Sequence, residues 1–189
     1  LLFPEPGNMS LGNTSVAIAP GSFIFLQVSP GNASGVLERA FARYKQLMFA
    51  WDDLAAPTAA PAGITTSRFI VTVNVGNTCE ELQLESFTGS AGTAGNGSGE
   101  AYTLHLGMGG GEIRAGTVWG ALRGLETLSQ LVVRERVVSS SSSAASTSRY
   151  TLRRIPVTIA DRPRLPWRGL MLDTSRRFYP LAYLLHTLD

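Results

Sequence analysis

Two stretches of this chain place apolar side chains at three- and four-residue steps, and that spacing limits the fold more than any other feature. After Gly35, the residues Leu37, Ala40, Phe41, Tyr44, Leu47, Met48 and Trp51 fall on one side of a helix, with Glu38, Arg39, Arg43 and Lys45 on the other. After Gly116, with Thr117 as the N-cap, Val118, Ala121, Leu122, Leu125, Leu128 and Val132 make a second stripe. A helix that is apolar along one side must lie against a partner surface. The β-branched and aromatic segments Phe23–Val28, Phe69–Val75, Tyr102–Leu106, Glu112–Ala115 and Val157–Ile159 supply one as strands. Gly107–Gly111 joins the third and fourth of them as a hairpin turn. The order β, α, β, β, β, α, β predicts an α/β domain, a mostly antiparallel sheet with two helices against one face.

At 189 residues, 44% of them hydrophobic, the chain can build a proper core. Its net charge of +2 is slight. Arginines gather near the end (Arg149, Arg153, Arg154, Arg162, Arg164, Arg168, Arg176, Arg177), but no recognition motif or interleaved surface aromatics accompany them, so a nucleic-acid partner is not expected. No segment approaches the ~18 uninterrupted apolar residues of a membrane span. No basic, then apolar, leader stands at the front, which reads as a mature or trimmed start. Asn8-Met-Ser, Asn13-Thr-Ser, Asn32-Ala-Ser and Asn96-Gly-Ser are glycosylation sequons and point to a secretory route. The lone Cys79 has no partner within the chain for a disulfide and reads as a small buried residue. Ala55–Gly63, Gly89–Gly99 and Ser139–Ser148 are surface insertions by composition.

Several chemical motifs fail on their context. Gly107-Met-Gly-Gly-Gly-Glu112 has Glu where a dinucleotide fingerprint needs its third Gly, and a strand follows instead of a helix. His105 and His186 stand far apart in sequence with no ligand partner beside either, so no metal is expected. No cofactor is implied, and no nucleophile with its base can be named. Near the end, Gly169–Leu172 reads as a short buried strand, Asp173–Ser175 as its closing turn, and Leu181, Leu184, Leu185 and Leu188 as a helical stripe opened by Pro180. That tail is one βα unit, and a parallel strand needs neighbours on both sides. The chain is therefore expected to continue in the natural protein, or this unit to dock elsewhere.

The run Trp119-Gly-Ala-Leu-Arg-Gly-Leu-Glu-Thr-Leu-Ser-Gln-Leu131, followed by Ile159-Ala-Asp-Arg-Pro-Arg-Leu-Pro-Trp-Arg-Gly-Leu-Met-Leu-Asp-Thr-Ser-Arg176, resembles the β-N-acetylhexosaminidases of glycoside hydrolase family 20. Leu37–Tyr44 and the opening Leu2–Pro6 are similar to that family as well. The resemblance implies an N-terminal α/β domain over residues 1–161. Residues 162–189 would then be a linker, the first strand and the start of the first helix of a catalytic (β/α)8 barrel whose remainder is absent, a barrel needing ~250 residues. It also implies a glycosidase that removes terminal non-reducing N-acetyl-β-hexosamine with retention, the sugar's acetamido oxygen replacing an enzyme nucleophile. The family's catalytic Asp-Glu pair would lie beyond Asp189, leaving no catalytic residue in this chain and the fragment inactive.

Arg168 aligns with the Arg of the family's R-G-x-x-x-D-x-S-R run and is carried over as the donor to hydroxyls of the terminal sugar, a task suited to a planar fork. Fold logic pulls the other way, since barrel sites sit at strand C-terminal ends, where Asp173 stands. Two positions depart from the family. Arg177 stands where members commonly carry His, and Ser34 stands where animal members carry a Cys that pairs with one near Cys79. The substrates implied are glycoconjugates ending in N-acetylhexosamine or chitin oligosaccharides, the location lysosome, vacuole or exterior, and the assembly a homo- or heterodimer through the barrel. The contrasting reading is a non-catalytic carbohydrate-binding or interaction module that keeps only the first domain.

Overall fold

A computed structural model describes residues 2, 5–29, 34–49, 68–78, 99–137, 147–165 and 168–188. Among these residues seven strands build one sheet: β1 (Asn8–Ile18), β2 (Phe23–Val28), β3 (Phe69–Asn77), β4 (Tyr102–Leu106), β5 (Gly110–Thr117), β6 (Val132–Val137) and β7 (Thr147–Asp161). Helix α1 (Gly35–Phe49) follows β2, α2 (Val118–Leu131) follows β5, and α3 (Leu181–Leu188) lies in the tail. The strand order is β1-β7-β4-β5-β3-β2, with β6 also on β7. Pairing is parallel for β2 with β3 and β3 with β5, and antiparallel elsewhere. The sheet is thus mostly antiparallel, as expected, and β4 and β5 form the expected hairpin.

Burial alternates along β3 and β4 with period two, so one face carries Phe69, Val71, Val73, Val75, Tyr102, Leu104 and Leu106. The two helices cover that face. From α1, Phe41 stacks on Phe25 at 5.0 Å and Phe49 meets Phe23 edge-on at 5.5 Å. From α2, Ala121, Leu125 and Leu128 are buried in the same cluster. Burying a Leu or Phe side chain stabilises by ~1.5–3 kcal/mol, so these stripes carry both helices. Side-chain caps start both helices, the one at Thr117 as expected. Thr117 Oγ1 accepts from the Gly120 N–H at 3.2 Å, and Ser34 Oγ accepts from the Leu37 N–H at 3.2 Å. At the position where animal relatives were expected to carry Cys, the serine starts α1.

Strand β7 organises the domain. One of its edges pairs with β1 from Ala160 back to Tyr150; the other pairs with β4 over Val157–Asp161 and with β6 over Thr147–Leu152. The two partners on the second edge are separated by residues 153–156, where Arg154 has φ 64° and Pro156 has no N–H to give a ladder. The β1 register shifts at the same level, between Leu11 and Thr14 and again between Thr14 and Val16.

Some expectations need correction. β1 and β6 lie where no strand was expected, and β7 begins within the stretch read as the Ser139–Ser148 insertion. In the tail, residues 168–172 form no strand: Leu170 is 74% and Met171 90% exposed, and a lone strand without ladder partners has nothing to hold it. The turn and α3 do form, with Asp173 Oδ1 accepting from the N–H groups of Ser175 and Arg176. Trp51, Cys79, Asn32, Asn96 and Trp167 lie outside the described residues.

Gly120 and Gly124 share one side of α2, where the helix presses on the sheet. A methyl on Gly120 would meet the Ala101 carbonyl oxygen at 2.5 Å, and one on Gly124 would meet Ile113 Cγ2 at 2.7 Å. Ala in place of Gly ordinarily favours a helix by ~1 kcal/mol, but overpacking costs ~1–3 kcal/mol. Gly120→Ala is accordingly expected to lower the Tm, with a net loss of about 1 kcal/mol in thermal unfolding followed by circular dichroism.

Candidate functional site

The most concentrated charge chemistry lies where β4, α2 and the tail meet. Glu100 stands just before β4, is 3% exposed, and faces two arginines from distant parts of the chain. Arg168 Nη2 donates to both carboxylate oxygens at 2.6 Å, and Arg123 Nε donates to Oε1 at 2.9 Å from α2. Arg168 Nη1 also donates to the Leu165 carbonyl at 2.6 Å. Burial pushes the Glu100 carboxyl up, yet the hydrogen bonds and charges of Arg168 and Arg123 outweigh it and hold the group below the usual carboxylate range. The carboxylate therefore stays charged and acts as a fixed anchor for two cations.

A second set of contacts fixes the route of the chain towards this anchor. Tyr102, opposite Asp161 in the β4–β7 register, places its hydroxyl 2.5 Å from Thr127 Oγ1 on α2 and 3.5 Å from Asp161 Oδ2. Burial, with the Asp161 charge added, pushes the Tyr102 phenol up to about 12, so it stays protonated. The other oxygen of Asp161 accepts from the Gly7 N–H at 3.0 Å. Between the helices, Tyr44 donates to Glu126 at 3.0 Å and ties α1 to α2.

The sheet face opposite the helices is polar in its centre. His105 Nδ1 lies 3.2 Å from Thr158 Oγ1, and Arg114 pairs with Glu112 at 2.8 Å. At one end of the sheet, Asn8, Asn74, Thr103, Arg114 and Arg162 border an open concavity of about 580 Å³. Among the described residues no group of three His, Cys, Asp or Glu side chains could hold a metal ion. No helix among them is long and apolar enough to cross a membrane.

Of the expected site residues, Arg168 is at the Glu100 cluster, with Nη2 donating to that carboxylate and Nη1 to the Leu165 carbonyl. Asn8 and Asn13 lie on β1 with exposed side chains. Asp173 and Arg176 pair with each other at 3.3 Å in the tail turn. Sequence reading missed Glu100, because residues 100, 123 and 168 share no local spacing; the only signal was one acidic residue at the mouth of a strand beside a Gly/Ser-rich insertion.

Removing one partner of a buried ion pair costs ~3–5 kcal/mol, and exposed pairs are worth far less. Arg123 and Arg168 are 52% and 38% exposed, so Glu100→Gln is expected to cost about 2 kcal/mol near neutral pH. Because folding lowers the Glu100 pKa, its contribution is present above the ordinary carboxylate range and is lost as pH falls through the folded value. The Tm gap between wild type and Glu100→Gln should therefore close as the solution is made acidic, which thermal melts across pH will check.

Comparison with known proteins places this geometry in a family. Residues 2–131 match the family model described as beta-acetyl hexosaminidase like. The chain is 35% identical over 193 residues to beta-hexosaminidase subunit alpha of Mus musculus, covering 100% of this chain and 32% of that protein. To beta-hexosaminidase subunit A1 of Dictyostelium discoideum it is 29% identical over 186 residues, covering 98% of this chain and 29% of that one. The chain thus spans about 30% of the length of the curated relatives it matches. In fold it is similar to the chitobiase of Flavobacterium johnsoniae, with a TM-score of 0.63 at 24% identity over 100% of this chain and 24% of that one. The family match over most of the chain, the relatives along its whole length and the shared fold lead to one conclusion: this chain belongs to the β-N-acetylhexosaminidases of glycoside hydrolase family 20.

Proposed function

We propose that this chain is the N-terminal part of a β-N-acetylhexosaminidase that removes terminal non-reducing N-acetyl-β-hexosamine residues from glycoconjugates or chitin oligosaccharides, in a lysosome, a vacuole or outside the cell. The observation that carries the reading is the family match over residues 2–131, extended to the whole chain by relatives named beta-hexosaminidase. The reaction is retaining and substrate-assisted: the acetamido oxygen of the sugar attacks its own anomeric carbon, and a Glu protonates the leaving oxygen while the neighbouring Asp orients the acetamido group. Both carboxylates belong to a barrel beyond Asp189. The full-length protein should hydrolyse a chromogenic N-acetyl-β-glucosaminide and release the β-anomer first, as followed by NMR. Residues 1–189 alone should be inactive. A folded full-length protein without activity on gluco or galacto substrates would overturn the reading.

Within that protein, residues 1–161 support the barrel and residues 162–189 lead into it. The supporting feature is the Glu100–Arg168 pair, which attaches the start of the tail to the domain. The same pair supports a second role for Arg168, a clamp between the two units, beside the sugar contact carried over from the family motif. Its Nη2 meets Glu100 and its Nη1 the Leu165 carbonyl, and it precedes the Gly169–Leu172 run, whereas barrel sites lie at strand C-terminal ends. Asp173 and Arg176 pair with each other in the turn after that run. Arg168→Lys in the full-length enzyme separates the two roles. A clamp predicts a lowered Tm with kcat/KM kept per folded molecule; a sugar donor predicts a ~10- to 100-fold drop in kcat/KM at unchanged Tm.

A further inference from the structure

The sequon Asn13-Thr14-Ser15 lies on β1, at one end of the sheet, where the register with β7 is broken. Leu11 pairs with Val157 and Thr14 with Ile155, so Asn13 has no residue opposite it in the ladder. The cause is local. Pro156 offers no N–H to β1, and Gly12 passes so close to the Ile155 carbonyl that a side chain there would collide with backbone. Bulges re-aim side chains at sheet edges, and here Asn13, Thr14 and Ser15 are all exposed. Asn8, by contrast, sits within the ladder opposite Ala160 and borders the concavity near Arg114 and Arg162.

We propose that Asn13 is an N-glycosylation site and that its glycan covers the outer edge of β1. A sheet edge is a template for pairing with another chain unless it is charged, bulged or covered. From Asn8 to Ile18, β1 contains no Lys, Arg, Asp, Glu or Pro, so its sequence lacks the usual edge guards apart from the bulge. A bulky, hydrated glycan attached at the bulge supplies the missing guard without disturbing the β7 pairing on the other side. The assignment rests on the secretory location proposed above, since the modification is made along that route.

The test uses the full-length protein with its natural N-terminal region, made in a eukaryotic secretory host. Peptide-N-glycosidase treatment in heavy-oxygen water, followed by peptide mass mapping, should show Asn13 converted to labelled Asp in most copies. Asn13→Gln and Ser15→Ala should each remove one glycan, seen as the same mobility step on a gel. The wild type after enzymatic deglycosylation in the folded state should sediment as larger species than the glycosylated protein at equal concentration. An unlabelled Asn13 alongside a labelled Asn32 or Asn96 would overturn the site and leave the secretory reading standing. Absence of label at every sequon would overturn both. Identical sedimentation before and after deglycosylation would overturn the edge-covering role.

Discussion

The pairing of β7 with three other strands holds the distant parts of this chain together. Its outer edge takes the N-terminal strand β1, and its inner edge takes β6 and then β4. Where the ladder with β4 ends, Asp161 stands opposite Tyr102, two residues beyond Glu100. The chain leaving β7 therefore emerges beside a buried carboxylate, and the reach from Asp161 to Arg168 is short enough to meet it. A one-residue slip of β7 would move Leu152, Ile155, Val157 and Ile159 off the apolar face, so the core fixes the register and the register fixes the ion pair.

The Glu100 cluster shows how one arginine can be read in two ways. A planar fork that suits two sugar hydroxyls suits the two oxygens of a carboxylate equally well. Residue type and motif position leave both uses open to Arg168. Here the partner is a side chain that is almost wholly buried, which must stay paired to stay charged. The arginine supplies that pairing, together with Arg123 from the helix that packs on the sheet.

Much of the domain was legible in the sequence because its periodicities are local. The stripes of α1 and α2, the cap at Thr117, and the strands at 23–28, 69–75 and 102–106 all announce themselves within a few residues. β1 was not legible: Asn8-Met-Ser-Leu-Gly-Asn-Thr-Ser is polar and bulged, and it becomes a strand because β7 offers an edge. β6 continues directly from α2 without a turn signal, so its Val-Val-Arg-Glu-Arg-Val pattern reads as a helix end. The Gly169–Leu172 strand was expected from its apolar run, but apolar character cannot substitute for neighbours. Glu100 was hidden because its partners are set by topology, not spacing.

The pairing of Asn8 with Ala160 also orders events in time. Among the described strands of this sheet β1 is made before the others and β7 after them, so β1 finds its partner only when α1, α2 and β2 to β6 have been made. Contacts of such long sequence separation form slowly and only after the intervening chain has closed. Until then β1 remains an unpaired, uncharged segment in the nascent chain, held near its destination by nothing in its own sequence. The domain can close only when synthesis has passed Asp161, so any delay between residues 18 and 147 lengthens the period in which β1 is open to other partners.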